Sequence, residues 1–418
     1  MTRISILPPD RVSLETNGYY QMSAATWGIV SNLIMIMGHC PQVTKTLVPF
    51  ANSFIFFPIR GSRLDRKLRE LIINRVSLYN ESHYSITHHT LIALNSGVDP
   101  QKLLHIKDWQ KNSIFSERER LALHYAELAS ADSNAVDDAF FSELKKHFSD
   151  QEIVEMTTII GHFNLLNRWF NALHVEDEPD FLKLYYARVP PELQTSISYY
   201  CPTTTKTYNH KYDLTRPRLK DDTPRVPPME PNDLAARNDF DTLSSYTLAK
   251  LTWRAGEIND PNAFDRVPNL IKTWGHCPEI ARTLVPFVNS FLFNEDSTID
   301  RGLKELAVNV VGRLNKTYYT TSAHELYAQA FGRIDRQQLD DLENWQSSTL
   351  FTDIQKLVIE YSIAVSLNSN EVTDELFGRI RNRFTEAETV ELTLLICHFQ
   401  LATRFINLMK IQVEAFRR

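Results

Sequence analysis

The sequence predicts an all-α fold made of two tandem helical domains related by internal pseudo-symmetry. Three observations carry that expectation. Glycine is scarce, 12 in 418 residues, while Leu, Ile, Ala and Glu are plentiful, a usage that favours helices over sheets and turns. Apolar residues recur at three- and four-residue steps, at Leu68, Leu71, Ile72 and Val76 and again at Ile153, Met156, Ile160, Phe163, Phe170 and Leu173, the period that lays an apolar stripe along a helix. The chain also repeats itself. "GHCPQVTKTLVPFANSFIF" from Gly38 recurs as "GHCPEIARTLVPFVNSFLF" from Gly275, with 13 of 19 positions identical.

In chain order, Pro41 falls where a helix starts, since its missing N–H costs nothing in a first turn, and Pro278 does the same in the second copy. "LRELIINRVSLYNESHYSITHH" from Leu68 predicts a helix, a turn and the start of another helix, and answers to "LKELAVNVVGRLNKTYYTTSAH" from Leu303. Trp109 answers to Trp345, Tyr125 to Tyr361 and Phe148 to Phe384. A closing helix, "FSDQEIVEMTTIIGHFNLLNRWFNAL", ends the first copy, and its "GHFNLLNRWFNAL" matches "CHFQLATRFINLM" from Cys397. The unit is about 150 residues long, the size of an ordinary domain. We place the first domain at 1–180, a Pro-rich linker at 181–238 and the second domain at 239–418. The linker holds Pro190, Pro191, Pro202, Pro217, Pro224, Pro227, Pro228 and Pro231, a density that blocks helix and sheet and favours an extended connection draped over a domain. Its Tyr199, Tyr200, Tyr208 and Tyr212 offer a packing surface.

Composition narrows the function classes. A net charge of −6 without a basic block argues against a nucleic-acid partner. Apolar runs such as "NLIMIM" fall short of the ~20 residues of a membrane span, and the first residues lack the charged start and apolar run of a secretory signal. Cys40, Cys201, Cys277 and Cys397 stand in neither Cys-x-x-Cys nor zinc spacing, which suits a reducing compartment. The expectation is a cytoplasmic protein with no membrane or nucleic-acid partner and no metal.

The stretch "SHYSITHH" carries the chemistry. Eleven residues separate Glu70 from Ser82, two separate Ser82 from Ser85, and three separate Ser85 from His89. Glu305, Thr317, Thr320 and His324 repeat those gaps. Steps of three and four put residues 82, 85 and 89 on one helical face.

This spacing resembles the Glu, Cys-x-x-Cys, His pattern of the carboxymuconolactone decarboxylase and alkyl hydroperoxidase D-like superfamily, with hydroxyl residues in place of both cysteines in both copies. The "GHCP" helix start, the "LREL" helix, the "SxYS" turn and the closing helix agree with it in order. The resemblance implies an all-helical fold that forms trimers or hexamers, works without metal or organic cofactor, and places its site between helices and subunits. One branch uses the thiol pair with a Glu-His proton relay, and the other uses acid-base residues on a lactone acid. A serine hydroxyl stays protonated near neutral pH and cannot cycle through a disulfide, so thiol peroxidase chemistry is lost here. A carboxylate, an imidazole and hydroxyls remain, and these move protons.

Each candidate has a structural reading beside the chemical one. Ser82 and Thr317 stand where a helix begins, as N-caps or as catalytic hydrogen-bond donors. Glu70 and Glu305 serve as relay or as backbone anchor. His89 is the natural proton carrier, and His83 and His88 enrich the first copy, where the second has Tyr318 and Ala323. These three histidines lack the four-residue step of two ligands on one helix face, so a metal reading is weak. Tyr84 and Tyr319 keep a ring at matching places. His162 and His398, amid apolar neighbours, belong to a structural network or line a pocket. Arg168 and Arg404, with Asn171 and Asn407, hold an interface or bind a substrate carboxylate. Cys40 and Cys277 are read as small core residues.

The reading is a cofactor-independent lyase or isomerase acting on a small organic acid or natural-product intermediate. His89 is the base, Glu70 assists it, and Ser82, Ser85 and His88 complete the catalytic set. His83, Tyr84, His162 and Trp109 are the substrate contacts. Glu305, Thr317, Tyr319, Thr320, His324 and His398 are the second-copy equivalents. The alternative is a catalytically silent scaffold or ligand-binding member. A homo-oligomer is expected, in which fused copies replace one pair of a pseudo-hexameric ring.

Overall fold

The structure is a computed structural model that describes residues 2–55, 63–194, 212–220, 222–229 and 268–414. Every regular element among them is helical. The first half comprises α1 (Leu14–Trp27), α2 (Asn32–Met37), α3 (Pro41–Asn52), α4 (Arg66–Tyr79), α5 (His83–Asn95), α6 (Pro100–Leu104), α7 (Glu117–Ala131), α8 (Asp138–His147), α9 (Asp150–Leu173) and α10 (Pro179–Arg188). The second half comprises α11 (Asn269–Trp274), α12 (Pro278–Leu292), α13 (Arg301–Leu314), α14 (Tyr318–Phe331), α15 (Arg336–Asp340), α16 (Asp353–Asn368), α17 (Asp374–Arg381) and α18 (Glu386–Met409).

Local chemistry sets the helix ends identically in both halves. Ser149 with Glu152, and Thr385 with Glu388, form reciprocal capping boxes that start α9 and α18, while Asp65 and Asp300 cap α4 and α13. Pro41 and Pro278 occupy the first turns of α3 and α12.

The halves close on one another through the long helices. α9 and α18 pack together where Gly161 faces Leu401, and a Cβ on Gly161 would come within 2.9 Å of Leu401 Cγ. Both helices are buried almost all round, which is why they are apolar all round. The α18 segment is long and apolar enough to cross a membrane, but 94% of its most apolar window is buried inside the protein. Beside it α3 lies on α12: the rings of Phe50 and Phe287 stack at 5.0 Å, and Thr46 Oγ1 donates to Ser290 Oγ at 3.0 Å.

Matching bonds cross this interface in both directions. Cys40 Sγ meets the Ala387 carbonyl at 3.3 Å and Cys277 Sγ meets the Gln151 carbonyl at 3.4 Å. Asn370 Nδ2 donates to Asn80 O at 3.2 Å, and Asn134 Nδ2 to Asn315 O at 3.1 Å. Arg168 and Arg404 are buried here, reaching Ser366 O and Ser130 O of the opposite half, and Asn171 and Asn407 donate to Asn80 O and Asn315 O. Such pairs of equivalent contacts are those of an isologous dimer, here within one chain.

The linker expected over 181–238 divides in three. Its start is not extended: residues through Arg188 continue α10, with Phe181 and Tyr185 buried in one cluster with Leu71 and Ile86, because the prolines begin only at Pro190. Residues 212–220 lie extended on the second half, with Leu214 buried against Leu306 and Trp345, Arg216 paired with Glu325, and Tyr212 Oη accepting from Trp345 Nε1 at 3.3 Å. Arg225 onward is different. Its amide donates to Met409 O at 3.0 Å as that of Arg3 does to Leu173 O at 2.9 Å, and Pro227 O accepts from His276 as Ser5 O does from His39. The repeat therefore reaches back to Arg225, earlier than a boundary at 239, because proline hides the likeness of "RISIL" to "RVPPM" while the backbone bonds preserve it. Tyr199, Tyr200, Tyr208 and Cys201 lie outside the described residues.

Candidate functional site

A tight turn between α4 and α5 builds the site. Glu81 adopts φ +53° and Lys316 does the same in the second half, a left-handed conformation that costs about 1–2 kcal/mol for a residue with a side chain. The turn closes through Ser82 N to Ser77 O at 3.0 Å and Thr317 N to Gly312 O at 2.8 Å. α5 then folds back on α4, and Asn74 Nδ2 stitches them by donating to Glu70 O at 2.9 Å and His89 O at 3.1 Å.

That hairpin puts Glu70 against His89. His89 Nδ1 lies 3.0 Å from Glu70 Oε2, and His324 Nδ1 lies 2.7 Å from Glu305 Oε2. Both glutamates are fully buried and both histidines nearly so. With the Nδ1 proton directed at the carboxylate, Nε2 is left as the basic nitrogen of the ring. Arg301 Nε also donates to Glu305 at 2.7 Å, a contact that Glu70 lacks from Arg66.

His89 lines a cavity of about 320 Å³ in the first half. Its floor and walls are buried: Leu47, Ala51, Tyr84, Ser85, His162, Phe163 and Phe170 all sit within them. Exposed Gly28, Arg66, Asn95 and Leu184 rim its mouth. Gly28 caps α1 at φ +84°, a turn that suits glycine, and Trp27 before it is part of the lining.

The predicted residues divide among three places. Ser85, Tyr84, His88, His89 and His162 line the cavity. Ser85 Oγ is buried with no partner among the described residues, and so are both ring nitrogens of His162, which lies edge-on to Phe50 and Phe54. Burial, with His398 and His89 nearby, pushes His162 down to about 3, so it is a neutral imidazole. Ser82 and Glu70 stand behind this wall. Ser82 occupies the N-cap position of α5, but its buried hydroxyl accepts no first-turn amide, and Thr317 instead bonds Asn407 Oδ1 at 3.1 Å. The turn backbone, not a hydroxyl, starts these helices.

His83 and Trp109 are not brought to the cavity. His83 is half exposed and pairs with Asp177 at 3.0 Å, because it begins α5 on the outward side. Trp109 lies in a separate cluster with Leu71, Ile86 and Leu123, its Nε1 donating to Glu127 at 3.2 Å.

His88 has a role that differs from acid-base catalysis. Its ring is stacked between Tyr84 at 4.2 Å and Phe181 at 3.7 Å. Nδ1 meets the Tyr84 carbonyl at 2.8 Å and Asp177 at 3.2 Å, and Nε2 meets Glu178 at 3.0 Å. Burial alone would lower its pKa, but the bonds to Asp177 and Glu178 outweigh it and raise His88 to about 9. Both nitrogens then carry protons, which makes this ring a fixed imidazolium and no base. Asp177 is held down to about 2: burial opposes this, and bonds from His83 and His88 overcome it.

Sequence reasoning missed Asp177, Glu178 and Arg66. Glu178 was reachable, because Glu414 matches it at the offset of the closing helices: Tyr84 Oη donates to Glu178 at 2.7 Å and Tyr319 Oη to Glu414 at 2.5 Å. Asp177 corresponds to Val413 and His88 to Ala323, so the first half holds a carboxylate–imidazolium pair that the second lacks.

In the second half Tyr319, His324 and His398 line a cavity of only about 100 Å³. Tyr327, for Ile92, and Trp274, for Met37, occupy the space. Thr320 is buried with its hydroxyl unpartnered but is absent from this lining. Among the described residues one group, Glu117, Glu143 and His147, brings carboxylates and imidazole close enough for a metal ion, and it lies away from both cavities.

A two-halved helical protein with a Glu-His pair on an α-hairpin is the class that fold and site define. The Carboxymuconolactone decarboxylase family matches residues 41–128. The uncharacterized protein YnjA of Escherichia coli (strain K12) is 34% identical over 116 residues, 28% of this chain and 64% of YnjA, so the chain spans a little under two thirds of that relative. The uncharacterized protein YdfG of Bacillus subtilis (strain 168) is 30% identical over 110 residues, 26% of this chain and 75% of YdfG. The chain belongs to the carboxymuconolactone decarboxylase family. Among solved structures, an alkylhydroperoxidase AhpD core, a peroxidase-related protein from Ralstonia eutropha JMP134, aligns at TM-score 0.39 and 20% identity over 43% of this chain and 94% of its own. The apo debrominase Bmp8 aligns at TM-score 0.38 and 22% identity over 48% of this chain and 98% of its own. Neither likeness bears on chemistry.

Proposed function

We propose that the first half is a cofactor-independent lyase or isomerase site in which His89 moves a proton on a small organic molecule held in the 320 Å³ cavity. The observation that carries this reading is the buried His89–Glu70 pair at 3.0 Å opening onto that cavity. Glu70 orients the imidazole and stabilises the imidazolium that forms when Nε2 accepts a proton from carbon. Ser85, buried and unpartnered, donates to the oxygen on which charge develops. In an isomerisation the proton returns to a neighbouring carbon; in a decarboxylation no carbon gives up a proton, and the imidazolium, protonated from water, delivers its own to the carbon that keeps the bonding pair as carbon dioxide leaves.

Thiol chemistry has no place in this reading. The described cysteines, Cys40, Cys277 and Cys397, line neither cavity, and burial pushes each thiol far up from its ordinary value. For the second half the 100 Å³ cavity favours the silent alternative, a scaffold that holds the first. Further association of chains into a ring belongs to the same proposal; a strictly monomeric mass at micromolar concentration counts against it.

The test is hydrogen exchange in heavy water across a panel of ring acids and enolisable ketones, followed by NMR. Wild-type protein and His324→Gln should incorporate deuterium into one or more of them, and His89→Gln should not. Equal incorporation by His89→Gln removes the assigned base.

A further inference from the structure

The charge distribution around the first cavity says more than its volume. Among the described residues that line it none is an Asp or Glu, whereas Arg66 and the imidazolium of His88 both contribute positive charge. His88 is already answered by Asp177 and Glu178. Arg66 is not: its Nε donates to Ser96 Oγ at 2.8 Å, and among the described residues its guanidinium meets no carboxylate. An unanswered cation at the rim of an apolar hollow draws anions.

The second half supplies the internal comparison. Arg301, at the place of Arg66, is turned onto Glu305 and donates to the Leu292 carbonyl at 2.7 Å, and it does not line the second cavity. Among the described residues that line that cavity none is an Asp, Glu, Lys or Arg.

Polarity also differs from end to end. The deep wall presents Ser85 Oγ and the neutral His162 ring, buried groups without protein partners that are matched by an uncharged oxygen. Between floor and rim the walls are apolar, from Leu33, Leu47, Phe163, Leu166, Phe170 and Phe181. α5 runs from Ser85 to Asn95 along the cavity, a rise of about 15 Å at 1.5 Å per residue, so the two polar ends are well separated.

We infer that the ligand of the first half is an elongated ring-bearing carboxylate whose carboxylate meets Arg66 at the mouth and whose far end carries an uncharged oxygen between Ser85, His89 and His162. One guanidinium balances one negative charge, which fits a carboxylate better than a phosphate dianion. The inference rests on the proposal that this cavity is the site, and it assigns Arg66 as the residue that selects for acids.

The test uses calorimetric titration of the full chain with 4-hydroxycinnamate, its methyl ester and cinnamate. 4-Hydroxycinnamate should bind once per chain, and the methyl ester on the order of fivefold more weakly, the size expected of an ion pair at a solvent-exposed rim. Arg66→Gln should abolish that preference while leaving the ester's affinity unchanged, Arg66→Lys should restore part of it, and Ser85→Ala should erase the advantage of 4-hydroxycinnamate over cinnamate. No binding of any acid at millimolar concentration, equal affinity for acid and ester, or an Arg66→Gln protein that keeps the preference each overturns the inference. His89→Gln separates the two readings: retained acid preference without deuterium exchange in any protein upholds the ligand class and sinks the proton-transfer proposal.

Discussion

Arg3 and Arg225 make equivalent bonds, each reaching from its own half into the half to which the other belongs. Arg3 donates to Ala172 O at 2.8 Å on its own side and to Val372 O at 2.7 Å and Asp374 across the interface. Arg225 donates to Leu408 O at 3.1 Å and reaches Val136 O at 2.5 Å and Asp138 in the first half. Each guanidinium also lies 4.9 Å from a ring centroid, Phe377 for Arg3 and Phe141 for Arg225. Arg3→Ala and Arg225→Ala should each cost about 1–3 kcal/mol, because each strands half-buried carbonyls. Scanning calorimetry should show melting temperatures a few degrees lower in both variants. Unchanged melting in either would mean that the exchanged arms contribute nothing to holding the halves together.

His88 gives the first half a pH-dependent clamp. Its pKa near 9 in the fold lies above the ordinary ~6.5 of the unfolded chain, so its contribution is full below about pH 6.5 and is lost as pH rises through 9. The amount is on the order of 3 kcal/mol. On the acid side Asp177, held near 2, contributes above about pH 4 and loses that contribution as pH falls. Melting temperature followed from pH 6 to pH 10 should fall more steeply for the wild type than for His88→Gln, and parallel curves would remove the clamp.

Ser82→Ala should be close to neutral, within about 0.5 kcal/mol, since the hydroxyl has no partner to lose. A true N-cap at this position would cost about 1 kcal/mol. Chemical denaturation decides between them. A loss of 1 kcal/mol or more would show that the hydroxyl holds the α5 amides after all.

Glu70→Gln should keep the fold but slow deuterium exchange by about 10²-fold or more, because the amide no longer stabilises a protonated His89. The NMR exchange assay measures this. A wild-type rate would reduce Glu70 to an anchor for the helix pair.

Local patterning made the fold class and the core of the site legible. Helical period, proline at helix starts and the Glu70, Ser85, His89 spacing are local properties, and the hairpin of α4 and α5 converts that spacing directly into the 3.0 Å contact. His83, Trp109 and His88 were harder because a count along the chain does not say which side of a helix meets which neighbour. His88 is one residue from His89, a rotation of about 100°, and that places it against α10 and the Asp177–Glu178 loop. The reach of the repeat back to Arg225 was hidden because backbone bonds carry it, and those are nearly blind to side-chain identity.

By itself the sequence determined an all-helical chain written twice, with a carboxylate, hydroxyls and an imidazole at fixed spacing in each copy. Tertiary structure alone decided that the copies clasp one another through exchanged arms, that one cavity is three times the volume of the other, and that one histidine is a cation while its neighbour faces the cavity beside a buried glutamate. The reason is physical: helix formation is settled by neighbours within a turn, whereas charge state and cavity shape are set by side chains 90 or more residues away that packing alone brings into contact.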